Sequence, residues 1–161
     1  MINKHISIGS ICLKKDVGDA IVQLINDAEK DGYMMKVSSG FRSYTTQKSI
    51  LESNIKNGNK NATIAIAKPG YSEHQLGVAV DLTGSSIQNI SATIKFQDSI
   101  EDAWLEKNAS NYGFIESYPE DKETITGYMY EAWHYRYVGI NNAKEIIKNN
   151  QTVNEFLKKN N

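Results

Sequence analysis

An α+β fold, with a small, mainly antiparallel sheet and helices packed against it, is predicted by the order of patterns along this 161-residue chain. The clearest helical periodicity comes first, through Val17, Ala20, Ile21, Leu24, Ile25 and Ala28. Strand-like runs of β-branched, small or aromatic residues come afterwards, over 76–83, 114–118 and 128–138. No internal repeat, low-complexity tract or Pro/Ser-rich linker divides the chain, so residues 1–161 are expected to form one domain.

Each element has its local reason. Asp16 is placed to cap the first helix and Gly32 to stop it. A short strand is expected over 33–37, a turn over 38–43, and a second helix over about 45–57, ended by Gly58. Pro69 and Gly70 mark a turn, and the run 76–83 that follows suits a buried strand. Residues 97–111 read as a helix with Ile100, Ala103, Trp104 and Leu105 on its apolar side. Two aromatic-rich strands over 114–118 and 128–138 are joined by a charged loop around Pro119, Glu120, Asp121 and Lys122. Thr152, with Glu155 three residues on, resembles a capping box for a last short helix.

Composition excludes some classes of function. An apolar fraction of 40% and a charged fraction of 23% are ordinary for a globular protein. A formal net charge of -1 gives no reason to expect nucleic acid or an anionic membrane surface as partner. Cys12 is the only cysteine, which rules out an internal disulfide and a cysteine-based metal site. No apolar run has the length of a membrane helix, and the start, Met1 to His5, lacks the apolar core of a signal peptide. Two locations stay open: the cytoplasm, or the cell exterior for a domain separated from its anchor.

The chemistry gathers in two stretches, Ser72 to Asp81 and Glu131 to His134. Two imidazoles and a carboxylate, from His74, His134 and Asp81, suit one zinc ion; a catalytic zinc takes three protein ligands and keeps a fourth position open. His74 and Asp81 are seven residues apart, a separation that would put them on opposite faces of one straight strand. His74 is therefore expected in the loop before the strand, with Gly77 easing the bend. Glu131, three residues before His134, is placed to act as a general base if the segment turns there. Arg42, in the turn before the second helix, could hold a substrate carboxylate or a developing oxyanion, and Gln47 lies close to it in the helix. Any one of these residues taken alone fits a buried polar group that simply finds a hydrogen bond, and His5 is left in that class.

Read together, three ordered motifs resemble the VanY-type carboxypeptidases. They are Ser39-Gly40-Phe41-Arg42-Ser43-Tyr44 with Gln47, Ser72-Glu73-His74-Gln75-Leu76-Gly77 through Asp81, and Glu131-Ala132-Trp133-His134-Tyr135-Arg136-Tyr137-Val138-Gly139. The resemblance runs over about 20–139, with helices expected beyond it in 140–161. It implies a Zn2+-dependent D-alanyl-D-alanine carboxypeptidase, with relatives that act as L,D-carboxypeptidases or D,D-dipeptidases. It also implies an α+β domain that carries the zinc in a groove on the sheet and takes peptidoglycan stem peptides as substrate. A monomer with no membrane contact by this segment is expected. By the same resemblance His74, Asp81 and His134 are the zinc ligands, Glu131 is the base, and Arg42 grips substrate and developing charge. Gln47, Ser72 and Trp133 then line the place of the terminal D-alanine.

One departure stands out. The family commonly has proline between base and tryptophan, and here Ala132 leaves that loop without a fixed φ. Many relatives carry an N-terminal anchor and stalk, so truncation before Met1 is expected. Two alternatives remain: a peptidoglycan endopeptidase of the same fold, and a non-catalytic zinc-stabilised module that binds cell-wall peptide. The segments 60–71 and 84–96 are expected to shape the pocket that sets stem-peptide specificity.

Overall fold

The computed structural model describes residues 5–8, 11–84 and 93–160. Strand β1 (His5–Ile8) pairs antiparallel with β2 (Ile11–Lys14), and β2 runs straight into helix α1 (Lys15–Lys30). That continuity explains why Asp16 does not cap the helix: the capping position falls on Lys14, which makes no side-chain cap, and Asp16 sits inside the first turn. There its charge still suits the positive end of the helix dipole. Val17, Ile21, Leu24 and Ala28 recur at helical spacing and are fully buried, and each of the larger ones contributes about 1.5–3 kcal/mol.

The main sheet has four strands in the spatial order β3-β4-β6-β5, all neighbours antiparallel, as the sequence predicts. They are β3 (Met35–Ser39), β4 (Ala79–Gly84), β5 (Phe114–Glu116) and β6 (His134–Tyr137). Helices α2 (Tyr44–Lys56) and α3 (Ala62–Ala65) connect β3 towards β4, and α4 (Ile100–Asn108) precedes β5. The short α5 (Glu123–Thr126) lies between β5 and β6, followed by α6 (Ile140–Lys148) and α7 (Val153–Lys159) after β6. At α7 the expected capping box is present in both directions, between Thr152 and Glu155.

Period-2 alternation divides the sheet into two faces. Val80 and Leu82 of β4, Tyr135 of β6 and Phe114 of β5 turn towards α1 and α4, joining Leu13, Leu24, Trp104 and Leu105 in the larger core. Ile115 turns the other way, into a smaller cluster with Ala143, Ile146, Val153 and Phe156 of α6 and α7. Asp81 and His134 lie on that second face, directly opposite one another in the β4–β6 register.

Several expected strands are shorter in the fold, because local turns take residues out of the ladder. The run expected over 76–83 is a strand only from Ala79, since Glu73–Leu76 winds into a 3-10 turn that Gly77 closes at φ 68. The run 128–138 is a strand only over His134–Tyr137; Met129 and Glu131 donate their N–H groups to Ile64 and Tyr118 instead. In α4 the buried residues are Glu101, Asp102, Trp104 and Leu105, while Ile100 and Ala103 are exposed, which corrects the apolar side read from sequence. The side chain of His5 and residues 85–92 of the expected pocket segment 84–96 lie outside the described residues.

Candidate metal centre

A row of side chains crosses the second face of the sheet from β3 to β6. A bulge in β3 places two residues against one of β4, so that Val37 pairs with Leu82 and Ser39, not Ser38, pairs with Asp81. Without it Ser39 would share the core face with Val37. With it, the Ser39 hydroxyl accepts from Arg42 Nε and Nη2 at 3.1 and 2.9 Å. Arg42 Nη2 also donates to Asp81 Oδ2 at 2.6 Å, while Nη1 has no hydrogen-bond partner among the described residues.

Asp81 Oδ1 lies 3.0 Å from His134 Nδ1 and 3.3 Å from His74 Nε2. The ligating atoms of His74, Asp81 and His134 all fall within 4.8 Å of one another, and all three residues are buried. His74 comes from the 3-10 turn before β4, as its spacing from Asp81 requires. Its Nδ1 is 2.7 Å from the carbonyl oxygen of Gly40, so Nε2 is the nitrogen turned to Asp81. Gly40 has to be glycine for this approach: a Cβ there would collide with the side chain of Ile11 and lie 2.9 Å from the carbonyl oxygen of Cys12.

This donor set fits zinc. Ligands about 2.0–2.1 Å from a tetrahedral ion lie about 3.3 Å apart, close to the two separations on Asp81. The second nitrogen of each ring is engaged elsewhere, and a cavity of about 270 Å³ opens on the remaining side. Its walls include every residue singled out by sequence: Arg42, Gln47, Ser72, His74, Asp81, Glu131, Trp133 and His134. Ala65, Ile66 and Ala67 of the expected segment 60–71 line it too, joined by Tyr118 and Tyr128.

Glu131 Oε2 stands 3.9 Å from His134 Nδ1. The turn that brings it there forms without proline, because His134 N–H bonds to Glu131 O, Glu131 N–H bonds to Tyr118 O, and Ala132 is packed in the core at 1% exposure. Burial pushes the Glu131 carboxyl up to about 7; His134 opposes that rise and the Asp81 charge adds to it. Asp81 goes the other way. Burial alone would raise it, but hydrogen bonds to His134 and His74 hold it well below the usual carboxylate range. His134 is buried too, which favours the neutral ring, yet Asp81 and Glu73 outweigh burial and lift it to about 10. For His74 burial prevails and the pKa is lowered.

Gln47 is buried and differs from the simple picture of a carboxylate donor. Its amide nitrogen is spent on the carbonyl of Ala67 at 2.8 Å, and its buried Oε1 has no hydrogen-bond partner among the described residues. Its clearest structural effect is to fix the wall at Ala65 to Ala67. Sequence reading gave no role to Glu73, Ser117, Arg136, Tyr118 and Tyr128, although Glu73 and Arg136 stand inside the quoted motifs. Arg136 was discoverable from its place two residues beyond His134, on the same face of a strand. Tyr118 packs its ring 4.9 Å from that of His134.

Comparison with known proteins agrees with this geometry. Residues 10–140 match the family model VanY, D-alanyl-D-alanine carboxypeptidase. YodJ of Bacillus subtilis (strain 168) is 40% identical over 148 residues, which cover 91% of this chain and 54% of that protein. Among solved structures, the LdcB LD-carboxypeptidase superposes with a TM-score of 0.81 at 39% identity, covering 91% of this chain and 69% of that one. The vancomycin-resistance D,D-pentapeptidase VanY of a VanB-type cassette, solved as a mutant in complex with Zn(II), gives a TM-score of 0.83 at 30% identity, over 96% and 89% of the two chains. The chain spans about half the length of the curated relatives it matches first.

Proposed function

From the premise that the chain belongs to the VanY D-alanyl-D-alanine carboxypeptidase family, we propose that it is a zinc-dependent carboxypeptidase that removes the C-terminal D-alanine of peptidoglycan stem peptides. The observation that carries the reading is one cavity holding the buried His74, Asp81 and His134 cluster, the carboxylate of Glu131 and the guanidinium of Arg42. A binding module would have no use for a buried carboxylate lifted to about 7 beside the metal ligands.

His74, Asp81 and His134 would hold the ion. When bound, zinc supplies a Lewis acid for the scissile carbonyl and lowers the pKa of water to about 7. The chain's own groups do the rest. Arg42 Nη1 receives the terminal carboxylate of the stem peptide, with the Ser72 hydroxyl beside it and Trp133 walling the alanine side. Glu131 takes the proton of the attacking water as the C–O bond forms, and returns it to the D-alanine nitrogen as the C–N bond breaks. Arg42 also offsets the negative charge on the tetrahedral oxygen. Burial of Glu131 favours its protonated form and so makes it a stronger base when ionised.

Residues 1–161 act in this reading as one zinc peptidase domain and as a monomer. In this reading a cell-wall substrate favours a place outside the cell or at the cell surface, with the cytoplasm as the alternative. No helix among the described residues is long and apolar enough to cross a membrane. The test is to mix zinc-loaded protein with tetrapeptide and pentapeptide stems and follow the mass of each. Loss of one alanine from either supports the reading and sorts L,D from D,D specificity; no loss from both contradicts it. Blocking the terminal carboxylate should abolish the reaction, whereas an endopeptidase would be indifferent to the block.

A further inference from the structure

Glu73 takes no part in the chemistry above, yet it is buried and both of its oxygens are engaged. Oε2 accepts from the Ser117 hydroxyl at 2.6 Å and lies 3.0 Å from His134 Nε2. Oε1 accepts from Arg136 Nη1 at 2.8 Å. The partners converge for topological reasons. Arg136 is two residues beyond His134 on the same face of β6, and Ser117, just past β5, donates its N–H to the His134 carbonyl.

An ionised carboxylate can only accept hydrogen bonds, and a neutral imidazole has one N–H and one lone pair. Nε2 faces Glu73 and Nδ1 faces Asp81 Oδ1 at 3.0 Å, so without a metal each nitrogen has a carboxylate to which it can donate. Asp81 also stands beside His74 Nε2, where an ion would share it, whereas Glu73 has no such second role; an ion that takes the Nδ1 lone pair leaves the hydrogen on Nε2, towards Glu73. His74 is oriented by the same logic through a neutral partner, the Gly40 carbonyl. Behind His134 the partner is a full charge, itself held by two donors.

We propose that Glu73 is a positioning residue: fixed by Arg136 and Ser117, it holds His134 as the Nε2–H tautomer and presents Nδ1 to the metal. The proposal rests on reading His74, Asp81 and His134 as the metal site. A carboxylate behind a ligating imidazole also makes the ring a better donor, and loss of such a partner typically lowers metal affinity about 10–100-fold. If Glu73 served only to neutralise Arg136, its replacement would change stability and leave both tautomer and affinity alone.

Two measurements test it. Zinc affinity of Glu73→Gln and of the parent is compared by competition with a chromophoric chelator, on samples shown folded by circular dichroism. A fall of about 10–100-fold is expected, and an unchanged affinity would overturn the proposal. Long-range proton–nitrogen correlation spectra of the zinc-loaded parent need no variant to fold. His134 should show hydrogen on Nε2 and a metal-shifted Nδ1; the reverse pattern overturns the positioning role while leaving the metal site standing. A parent chain that binds no zinc would defeat the proposal and the metal site together.

Discussion

The two faces of one small sheet handle buried charge in opposite ways. On the face that carries Asp81 and His134, the groups joined by hydrogen bonds across the strands each meet a partner of opposite sign. Arg42 meets Asp81, Arg136 meets Glu73, and His134 lies between the two carboxylates. Hydrogen bonds and charge outweigh burial there and bring Glu73 down to about 2. On the other face Glu116, one register step from Phe114 and level with Tyr135, has Asp102, Glu106 and Glu120 as its strongest electrostatic neighbours. Burial comes first and those carboxylates add to it, so Glu116 is lifted to about 8. Burial alone does not set the sign of a shift: it prevails at Glu116, and also at Glu131 and His74, but yields at Glu73 and Asp81, where hydrogen bonds to charged partners outweigh it.

Breaking the compensated face should have the largest effect. Asp81→Ala leaves the Arg42 and His134 charges without their shared partner. Metal-free stability, measured by urea unfolding at pH 7, should fall by about 3–5 kcal/mol. A loss below about 1 kcal/mol would mean that these pairs behave like exposed surface ones. Zinc should no longer protect the variant.

The uncompensated face predicts a smaller change of opposite sign. The Glu116 carboxyl titrates at about 8 in the folded chain against 4.5 for the free group. The folded chain thus keeps a proton that the unfolded chain has lost. Its contribution is complete below pH 4.5 and is lost as pH rises through 8. Asp102, lifted to about 7 by burial and by Glu106 and Asp98, adds the same slope. Glu116→Gln should therefore stabilise the metal-free protein at pH 9 by about 1–3 kcal/mol, with little gain at pH 4. Equal gains at both values would show that the carboxyl is not held protonated by its surroundings. Glu73 has the reverse dependence: its contribution is present above pH 4.5 and lost as pH falls towards 2. Unfolding measured across pH should show both flanks.

Much of the candidate site was legible because side chains that could hold a metal leave a local mark in the sequence. His74 and His134 are two of three histidines, Asp81 stands alone in an apolar run, and the spacing of His74 from Asp81 required a bend that the 3-10 turn supplies. Glu131 could be reached by counting back from His134. The α+β class and the antiparallel pairing were legible too, since periodicity reports on faces. Sequence was silent on register and on who stands behind a ligand. Glu73 looked like a flanking residue because nothing local says that Arg136 and Ser117 fold onto it. The β3 bulge that turns Ser39 towards Arg42 is likewise a property of two paired strands. Ile100 and Ala103 were misassigned because apolar character was taken as burial, whereas in α4 the polar Glu101 and Asp102 face inwards.

The central claim is that the charge-compensated face is a catalytic centre with Glu131 as its base. Glu131→Gln tests it most directly, with bound zinc and D-alanine release measured on the same sample. The account predicts one zinc per chain, as in the parent, and release slowed by about 10²–10⁴-fold. Zinc retained together with near-parental release would contradict it.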